Sequence, residues 1–237
     1  METVAIWTER LAVFALILFA VGVLLIRNGS YRLGFAGYGV ATLLAIVCFA
    51  FLVLILIMHK NNASSWILLL LCAVPSALAA NLIINRGDFP QIHDITTNTL
   101  EPPVFEKAPE LRSPGANALD IDPATIELQT RHYPDIASLA LEAVPPEIYA
   151  NAIEYASQQG WQVYHENPDN LSFEAVASTM LLNYKDDIVI RIRTENGKSV
   201  VDARSASRIG RGDLGANAKR IREFLNAMKT THQTQTQ

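Results

Sequence analysis

Cysteine is almost missing from this 237-residue chain, which contains only Cys48 and Cys72. Both lie in long apolar runs, and the polar part of the chain has none. This absence excludes a disulfide framework and a cysteine-based metal site. It does not identify the compartment, because a domain without cysteine is compatible with either side of a membrane.

The signatures of common catalytic and metal sites are also missing. The five histidines lack the i,i+4 spacing of a zinc-binding helix, and no Gly-x-Ser-x-Gly elbow marks a nucleophilic serine. Asp186 and Asp187 stand side by side before a predicted strand, where a turn explains them better than a metal site does. We therefore expect no metal and no cofactor, and the sequence favours a protein that is not an enzyme.

Charge is scarce at the start of the chain. Residues 1–90 hold five Lys or Arg and three Asp or Glu (net +2), whereas residues 91–237 hold fourteen and twenty (net −6). This segregation predicts a membrane region followed by a mildly acidic soluble region. The acidic balance argues against nucleic acid as a partner, because nucleic-acid-binding domains present a positive face.

Three apolar segments lie within residues 1–86, at 11–26, 33–58 and 66–84. A helix needs about 20 apolar residues to cross the hydrocarbon core, so we predict three transmembrane helices with the lipid bilayer as partner. The first segment lacks the basic start and the small-residue cleavage site of a signal peptide. No ionisable residue lies inside the three segments, which argues against a proton or ion relay.

A proline-rich segment, residues 87–144, follows the apolar region. Eight of the eleven prolines fall between Pro102 and Pro146, which predicts extended, irregular backbone with a short helix near residues 123–130. Apolar residues such as Phe105 and Ile136 recur along it, and a disordered linker would not need them. The segment is a linker or, as we prefer, a strap lying across the domain.

Regular patterns resume in residues 145–229. Pro145-Pro146-Glu147 begins a helix, four segments then alternate apolar and polar residues, and Asn196-Gly197 marks a hairpin. A last amphipathic helix runs from Asp213 to near Met228. The order predicts an α+β fold of two layers, a four-stranded antiparallel sheet packed by two helices. The polar residues 230–237 are expected to form a disordered tail.

Charged residues gather on the predicted sheet face opposite Ile188, Ile190 and Ile192. One interpretation is a structural face with cross-strand ion pairs, and this is the commoner role of such clusters. The other is a groove in which paired guanidinium groups bind an anionic ligand. The candidate ligand-binding residues are Arg191, Arg193, Asp202, Arg204, Arg208 and Arg211.

The stretch SASRIGRGDLGANAKRIREFL, residues 205–225, combines glycines, arginines and an aspartate ahead of the last helix. Asp213 is placed to cap that helix, and Asn217 lies on its buried face, where its amide requires hydrogen-bond partners. We predict a structural clasp formed by Asp213 and Asn217, with Arg208 and Arg211 paired to nearby carboxylates. The alternative is an anion site at the helix N-terminus.

Several motifs occur in an order that resembles a known family. HDITTN, PPVF, YPDI, GW, DDIVIRIR and VDARSASRIGRGDLGANAKRIREFL follow one another along the chain. Together they resemble the domain-of-unknown-function 1499 family, in its bacterial form with N-terminal membrane helices, over residues 90–228. The resemblance supplies no catalytic residues. It implies a multi-pass protein of the bacterial inner membrane whose C-terminal domain is periplasmic, whereas the basic residues flanking the spans give a three-to-two margin for the opposite side.

The function that we expect is that of a membrane-anchored envelope protein, a non-catalytic binding or interaction module. Its partner would be another envelope protein or an anionic small ligand. The alternative is a hydrolase-type enzyme acting on an envelope component. A closed pocket with a strongly perturbed titratable group would favour the enzyme, and a flat charged face would favour the module.

Overall fold

The computed structural model describes residues 2–58, 63–84 and 87–234. Contacts between residues divide the chain into two compact units. The first comprises residues 1–86 together with residues 180–183, and the second comprises residues 87–179 and 184–237. The first unit is built from apolar helices, and the second is a mixed α+β domain.

Three apolar helices begin the chain: α1 (Glu2–Arg27), α2 (Tyr31–Met58) and α3 (Ala63–Ile84). Each is long and apolar enough to cross a bilayer. The prediction of three N-terminal membrane helices agrees with this finding. Proline at position 75 is accommodated inside α3, where neighbouring helices can compensate for its missing donor.

The first helix begins earlier than the apolar segment indicated. Glu9 and Arg10 therefore lie inside α1, ahead of the apolar segment 11–26. The Glu9 carboxylate accepts hydrogen bonds from the hydroxyls of Ser64 (2.9 Å) and Ser65 (2.6 Å) at the start of α3. These donors explain how the helix tolerates an acid, because an unpartnered charge in an apolar setting is costly.

Glycine permits the close approach of α1 and α2. A Cβ atom on Gly22 would lie 2.7 Å from the backbone nitrogen of Tyr38, and one on Gly34 would lie 2.8 Å from that of Ile26. Neither distance is compatible with a side chain. The two helices therefore pack backbone to backbone, as small residues commonly allow between membrane helices.

The sheet of the second unit has six antiparallel strands in the order β1-β6-β5-β4-β3, with β2 also pairing with β6. The prediction of a four-stranded sheet was therefore wrong in strand number, although the antiparallel α+β class is confirmed. The strands are β1 (Asp94–Thr96), β2 (Leu139–Leu141), β3 (Gln162–Asn167), β4 (Ser172–Ser178), β5 (Lys185–Glu195) and β6 (Lys198–Ser207).

The two additional strands come from either end of the proline-rich segment. Ile95 pairs with Ser205, and Leu139 pairs with Val201, so both strands use the same edge of β6. An exposed edge leaves unpaired backbone donors and acceptors, and these three-residue strands satisfy most of those on β6. Strands this short carry too little alternation to be found in the sequence.

Two helices, α6 (Pro145–Gln158) and α7 (Ala216–Thr234), cover one face of the sheet. Their core includes Ile188, Ile190 and Ile192, which strand alternation assigned to one face. Trp161, Phe173 and Ile221 join them, with Leu225 partly buried beside them.

The last helix extends beyond its predicted end. It reaches Thr234 and so includes most of the segment expected to be a disordered tail. Asn151 Nδ2 lies 3.2 Å from Nε2 of the buried His232, which gives this part of the helix a contact on α6. Residues 235–237 lie outside the described residues.

The proline-rich segment covers the opposite face of the sheet. It forms α4 (Ala108–Leu111) and α5 (Pro123–His132), the latter where a short helix was expected. Phe105 and Ala108 pack with Val189 of β5 and Ala206 of β6 in a second apolar cluster. The sheet is thus covered on both faces, more than the two predicted layers, and its charged residues lie beneath the segment that we call the strap.

Candidate functional site

The first charged cluster beneath the strap surrounds Asp202 of β6. Its Oδ2 accepts from Arg191 Nη2 (2.7 Å) and Arg193 Nε (2.8 Å), and its Oδ1 accepts from Ser138 (2.5 Å). Asp202 is fully buried. Burial alone would raise the pKa of Asp202, yet these hydrogen bonds outweigh it and hold the pKa below its ordinary value. The three donor residues thus keep the carboxylate charged, and its oxygens already accept hydrogen bonds within the protein.

A second cluster surrounds Arg204, the next outward-facing residue of β6. Its guanidinium forms a two-point pair with Asp94 of β1, with Nε–Oδ1 at 3.0 Å and Nη2–Oδ2 at 2.8 Å. It also donates to the carbonyl oxygen of Pro103 at 3.1 Å and lies over the ring of Phe105. Both members of the ion pair are about 5% exposed. Two-point pairing of this kind is geometrically specific.

A third cluster is built on Asp187 of β5. Arg208 donates to both carboxylate oxygens (2.9 and 2.7 Å), and Arg112 of the strap donates to Oδ2 (2.7 Å). The Asp187 side chain is fully buried, and that of Arg112 is 5% exposed. One carboxylate therefore joins the strap, the central strand and the loop after β6.

Glu174 of β4 connects this cluster to the start of α4. Its carboxylate accepts from the backbone amides of Glu106 (2.5 Å), Lys107 (2.7 Å) and Ala108 (2.8 Å). An acid at the N-terminus of a helix satisfies unpaired amides and complements the helix dipole. Here it fastens the strap to the sheet.

Tyr164 lies between the two carboxylates, with its hydroxyl 3.1 Å from Glu174 and 3.2 Å from Asp187. Burial, together with the neighbouring charges of Asp187 and Glu174, raises the pKa of Tyr164 far above its ordinary value. The hydroxyl is therefore a donor and not a base at neutral pH. Glu174, Asp187 and Tyr164 are residue types that often act in catalysis. Here each is already hydrogen-bonded within the protein, and the strap covers them.

The structure places the six candidate ligand-binding residues in different surroundings. Arg191, Arg193 and Asp202 lie together, whereas Arg204 and Arg208 belong to separate clusters with Asp94 and Asp187. Arg211 is exposed, and no ion pair includes it within the described ranges. The alternation of apolar and polar residues assigned the strand arginines and Asp202 to the correct face of the sheet. On that face, however, the charged residues form separate clusters of ion pairs.

The predicted clasp has the expected geometry at Asp213 and Asn217. The Asp213 carboxylate accepts from the amides of Gly215 (2.8 Å) and Asn217 (2.7 Å), as a helix cap does. Burial raises the pKa of Asp213, although these two donors oppose the shift. The Asn217 amide donates to the carbonyl oxygen of His93 (3.0 Å) and to Ser207 Oγ (3.0 Å), so it ties α7 to the sheet.

Sequence reasoning missed several members of these clusters. Asp94 lies 110 positions from Arg204 and Arg112 lies 75 positions from Asp187, and no local signal joins them. Arg220 pairs with Asp186 (2.7 Å) and donates to Ser205 (2.9 Å). Arg220 lies three residues after Asn217 and therefore on the same side of the helix. This spacing could have identified Arg220 from the sequence as a neighbour of Asn217.

An open concave surface of the domain lies between α6 and α7. A cavity of about 560 Å³ opens between α6 and α7, and a second of about 260 Å³ lies along the same boundary. Both include Tyr155 and Gln159 in their walls. The lining of the larger cavity is mostly amide and hydroxyl side chains, with Asn151, Gln158, Asn226 and Thr230 among them. We call this surface the α6–α7 groove.

Metal-binding groups do not converge in residues 2–58, 63–84 and 87–234: no three histidine, cysteine or carboxylate side chains there lie close enough to share an ion. Cys48 and Cys72 are free thiols buried among the apolar helices.

These features define a class of protein: apolar helices long enough to anchor it in a membrane, followed by an α+β domain whose buried charges are internally paired. The family described as "Protein of unknown function (DUF1499)" matches residues 94–228, more than half of the chain, and the protein belongs to this family. The resemblance inferred from the motifs is thereby confirmed. No curated protein matches the chain.

Proposed function

We propose that the protein is a membrane-anchored, non-catalytic interaction module of the cell envelope. The observation that carries this proposal is the internal pairing of the charged face. Asp202 and Asp187 each hold guanidinium groups beneath the strap, and Asp94 of the strap itself holds Arg204 of β6. Groups that are buried and already paired are poorly suited to hold a substrate or exchange protons with it.

The α6–α7 groove is the surface that we assign to the partner, which would be another envelope protein. Its amide side chains can donate to and accept from a polypeptide backbone, and Tyr155 offers an aromatic anchor of the kind enriched at interfaces. The groove is open and not enclosed, which suits a protein segment better than a small substrate.

Photo-crosslinking in cells tests this assignment. A photoreactive residue at Gln158 or Asn226, both exposed in the groove, is expected to give one discrete adduct with an envelope protein. The matched control is Glu127 on α5, whose side chain is 74% exposed and lies outside the groove. The control should give no such adduct.

A specific adduct must also depend on the groove's shape. Asn226→Trp should fill the groove and abolish the adduct formed from Gln158, with the domain still folded. If no adduct forms, and the purified protein instead hydrolyses a chromogenic ester or phosphate in a manner lost in Asn226→Trp, the hydrolase-type alternative replaces this proposal.

We further propose that the domain lies on the periplasmic side of a bacterial inner membrane, a placement supported by the family resemblance. Three spans would leave the N-terminus and the domain on opposite sides. Alkaline phosphatase fused after Gln237 is then expected to be active, and a green fluorescent protein fused there is expected to be dark. The same enzyme fused before Met1 is the control and should be inactive. The reverse pattern of activity would place the domain in the cytoplasm.

A further inference from the structure

A groove lies between α1 and α3, at the end of the first unit where both helices begin. It encloses a volume of about 570 Å³, within the range of about 300–1,000 Å³ that is typical of ligand sites. Four apolar side chains form most of its wall: Ile6 and Val13 of α1, and Ile67 and Leu68 of α3. We call it the α1–α3 groove, and a wall of this kind accepts a lipid acyl chain.

Two opposite charges line the same groove. Glu9 and Arg10 are neighbours in α1, and both belong to the wall together with Ser64 of α3. The Arg10 side chain is exposed, and within the part of the chain that the structure describes no carboxylate forms an ion pair with it. Its guanidinium lies over the ring of Trp7, 5.4 Å from the ring centre. A ring face attracts the charge but supplies no strong hydrogen-bond acceptor.

The residues around these charges indicate their level in a bilayer. Trp7 of α1 and Trp66 of α3 are 57% and 51% exposed, and tryptophan is enriched where headgroups meet acyl chains. The hydrogen bond from Ser65 to Glu9 (2.6 Å) holds the two helices at the same level. The uncharged apolar stretch of α1 follows directly after Arg10. The two charges therefore lie at the headgroup boundary, with the deeper part of the groove in the hydrocarbon.

A headgroup with one negative and one positive group matches this pair of charges. Arg10 can donate two parallel hydrogen bonds to a phosphate. The Glu9 carboxylate accepts from Ser64 (2.9 Å) and Ser65 (2.6 Å) at the same oxygen, Oε1, and a carboxylate accepts about four hydrogen bonds in all. Glu9 can therefore also accept from a primary ammonium. A choline headgroup has no N–H to donate, and an anionic headgroup would be repelled by Glu9.

We propose that the α1–α3 groove binds one molecule of phosphatidylethanolamine from the surrounding bilayer. Its phosphate lies on Arg10, and its ammonium donates to Glu9. One acyl chain lies along Val13, Ile67 and Leu68. This inference rests on the apolar helices spanning a bilayer. It does not depend on the role assigned to the α6–α7 groove or on the side of the membrane where the α+β domain lies.

Native mass spectrometry of the full-length protein tests the proposal. The protein is purified in detergent and mixed with equal amounts of phosphatidylethanolamine, phosphatidylcholine and phosphatidylglycerol. The three lipids carry the same acyl chains and differ in headgroup mass, so each bound lipid is identified by the mass that it adds. We expect one phosphatidylethanolamine to stay bound, at several-fold higher occupancy than either of the other two lipids.

Two variants separate the roles of the two charges. Arg10→Gln should lower the occupancy of phosphatidylethanolamine several-fold, because the phosphate loses its partner. Glu9→Gln keeps a side-chain oxygen that can accept from the serines of α3 but removes the charge that repels an anionic headgroup. It should therefore raise phosphatidylglycerol to at least the occupancy of phosphatidylethanolamine. The matched control is Arg32→Gln, an exposed arginine at the start of α2 and outside the groove, which should bind lipid as wild type does.

A third variant tests the apolar wall and leaves both charges in place. Val13→Trp should fill the groove and lower the occupancy of phosphatidylethanolamine, and circular dichroism checks that each variant is folded. Equal occupancy of the three lipids on the wild-type protein would overturn the proposal, and so would a preference for phosphatidylglycerol. Wild-type binding of phosphatidylethanolamine in both Arg10→Gln and Val13→Trp would place the lipid elsewhere on the protein and overturn it as well.

Discussion

Replacing Asp187 with alanine is expected to lower the free energy of unfolding of the domain by about 3–5 kcal/mol, the usual cost of breaking a buried ion pair from one side. The reason is that two guanidinium groups lose their partner. The side chains of Arg112 and Arg208 are 5% and 14% exposed, so neither can recover hydration without moving the strap or the loop after β6. Urea unfolding of the full-length protein in detergent, followed by tryptophan fluorescence, measures the loss.

The matched control for Asp187→Ala is Glu127→Ala. Glu127 also pairs with an arginine, Arg131, but both side chains are more than 60% exposed. Exposed i,i+4 pairs contribute about 0.3–0.5 kcal/mol, so this variant should unfold close to wild type. A loss at Asp187 no larger than that at Glu127 would mean that water reaches the carboxylate and that the strap does not seal the face.

The residues of the charged face hold the strap on the sheet through ion pairs and hydrogen bonds. Asp94, Arg112 and Glu106 all belong to the segment before residue 144, and each contacts a charged residue of the central strands. A segment rich in proline forms few regular backbone ladders, so side-chain contacts must hold it in place. This accounts for so many charges on a buried sheet face without invoking a ligand.

Alternation in the sequence was sufficient to assign the faces of the long strands. Ile188, Ile190 and Ile192 face the helices, and the intervening residues face the strap, because side chains in a strand point to opposite sides in turn. The hairpin at Asn196-Gly197 then fixed which residues of β5 and β6 face each other. Local chemistry likewise identified Asp213 as a cap and Asn217 as a buried amide with partners.

The partners of the charged residues could not be predicted in the same way. Arg204 pairs with Asp94, 110 positions away, because a three-residue strand from the strap joins the edge of β6. Such a strand has no periodicity of its own, and its register depends on packing of the strap. The charged face was therefore correctly located as a surface, while the division into separate clusters required the three-dimensional structure.

Ile190→Ala is expected to cost about 2–5 kcal/mol of domain stability, since it removes a large side chain from a fully buried position. Ile190 lies at the centre of β5 and faces the core between the sheet and the two helices. Its neighbours there include Phe173 of β4 and Ala203 of β6, the residues that pair with it in the sheet. The same urea unfolding measurement applies.

Ile190→Val is the matched control, because it removes a single methyl group and should cost about 0.5–1.5 kcal/mol. A second comparison uses Val189→Ala on the opposite face, where Val189 is 3% exposed beneath Phe105 and Ala108. If the strap seals that face, this variant also destabilises, by about 1 kcal/mol for each methylene-sized loss. A cost near zero at Ile190 with a large cost at Val189 would reverse the assignment of the two faces and place the principal core beneath the strap.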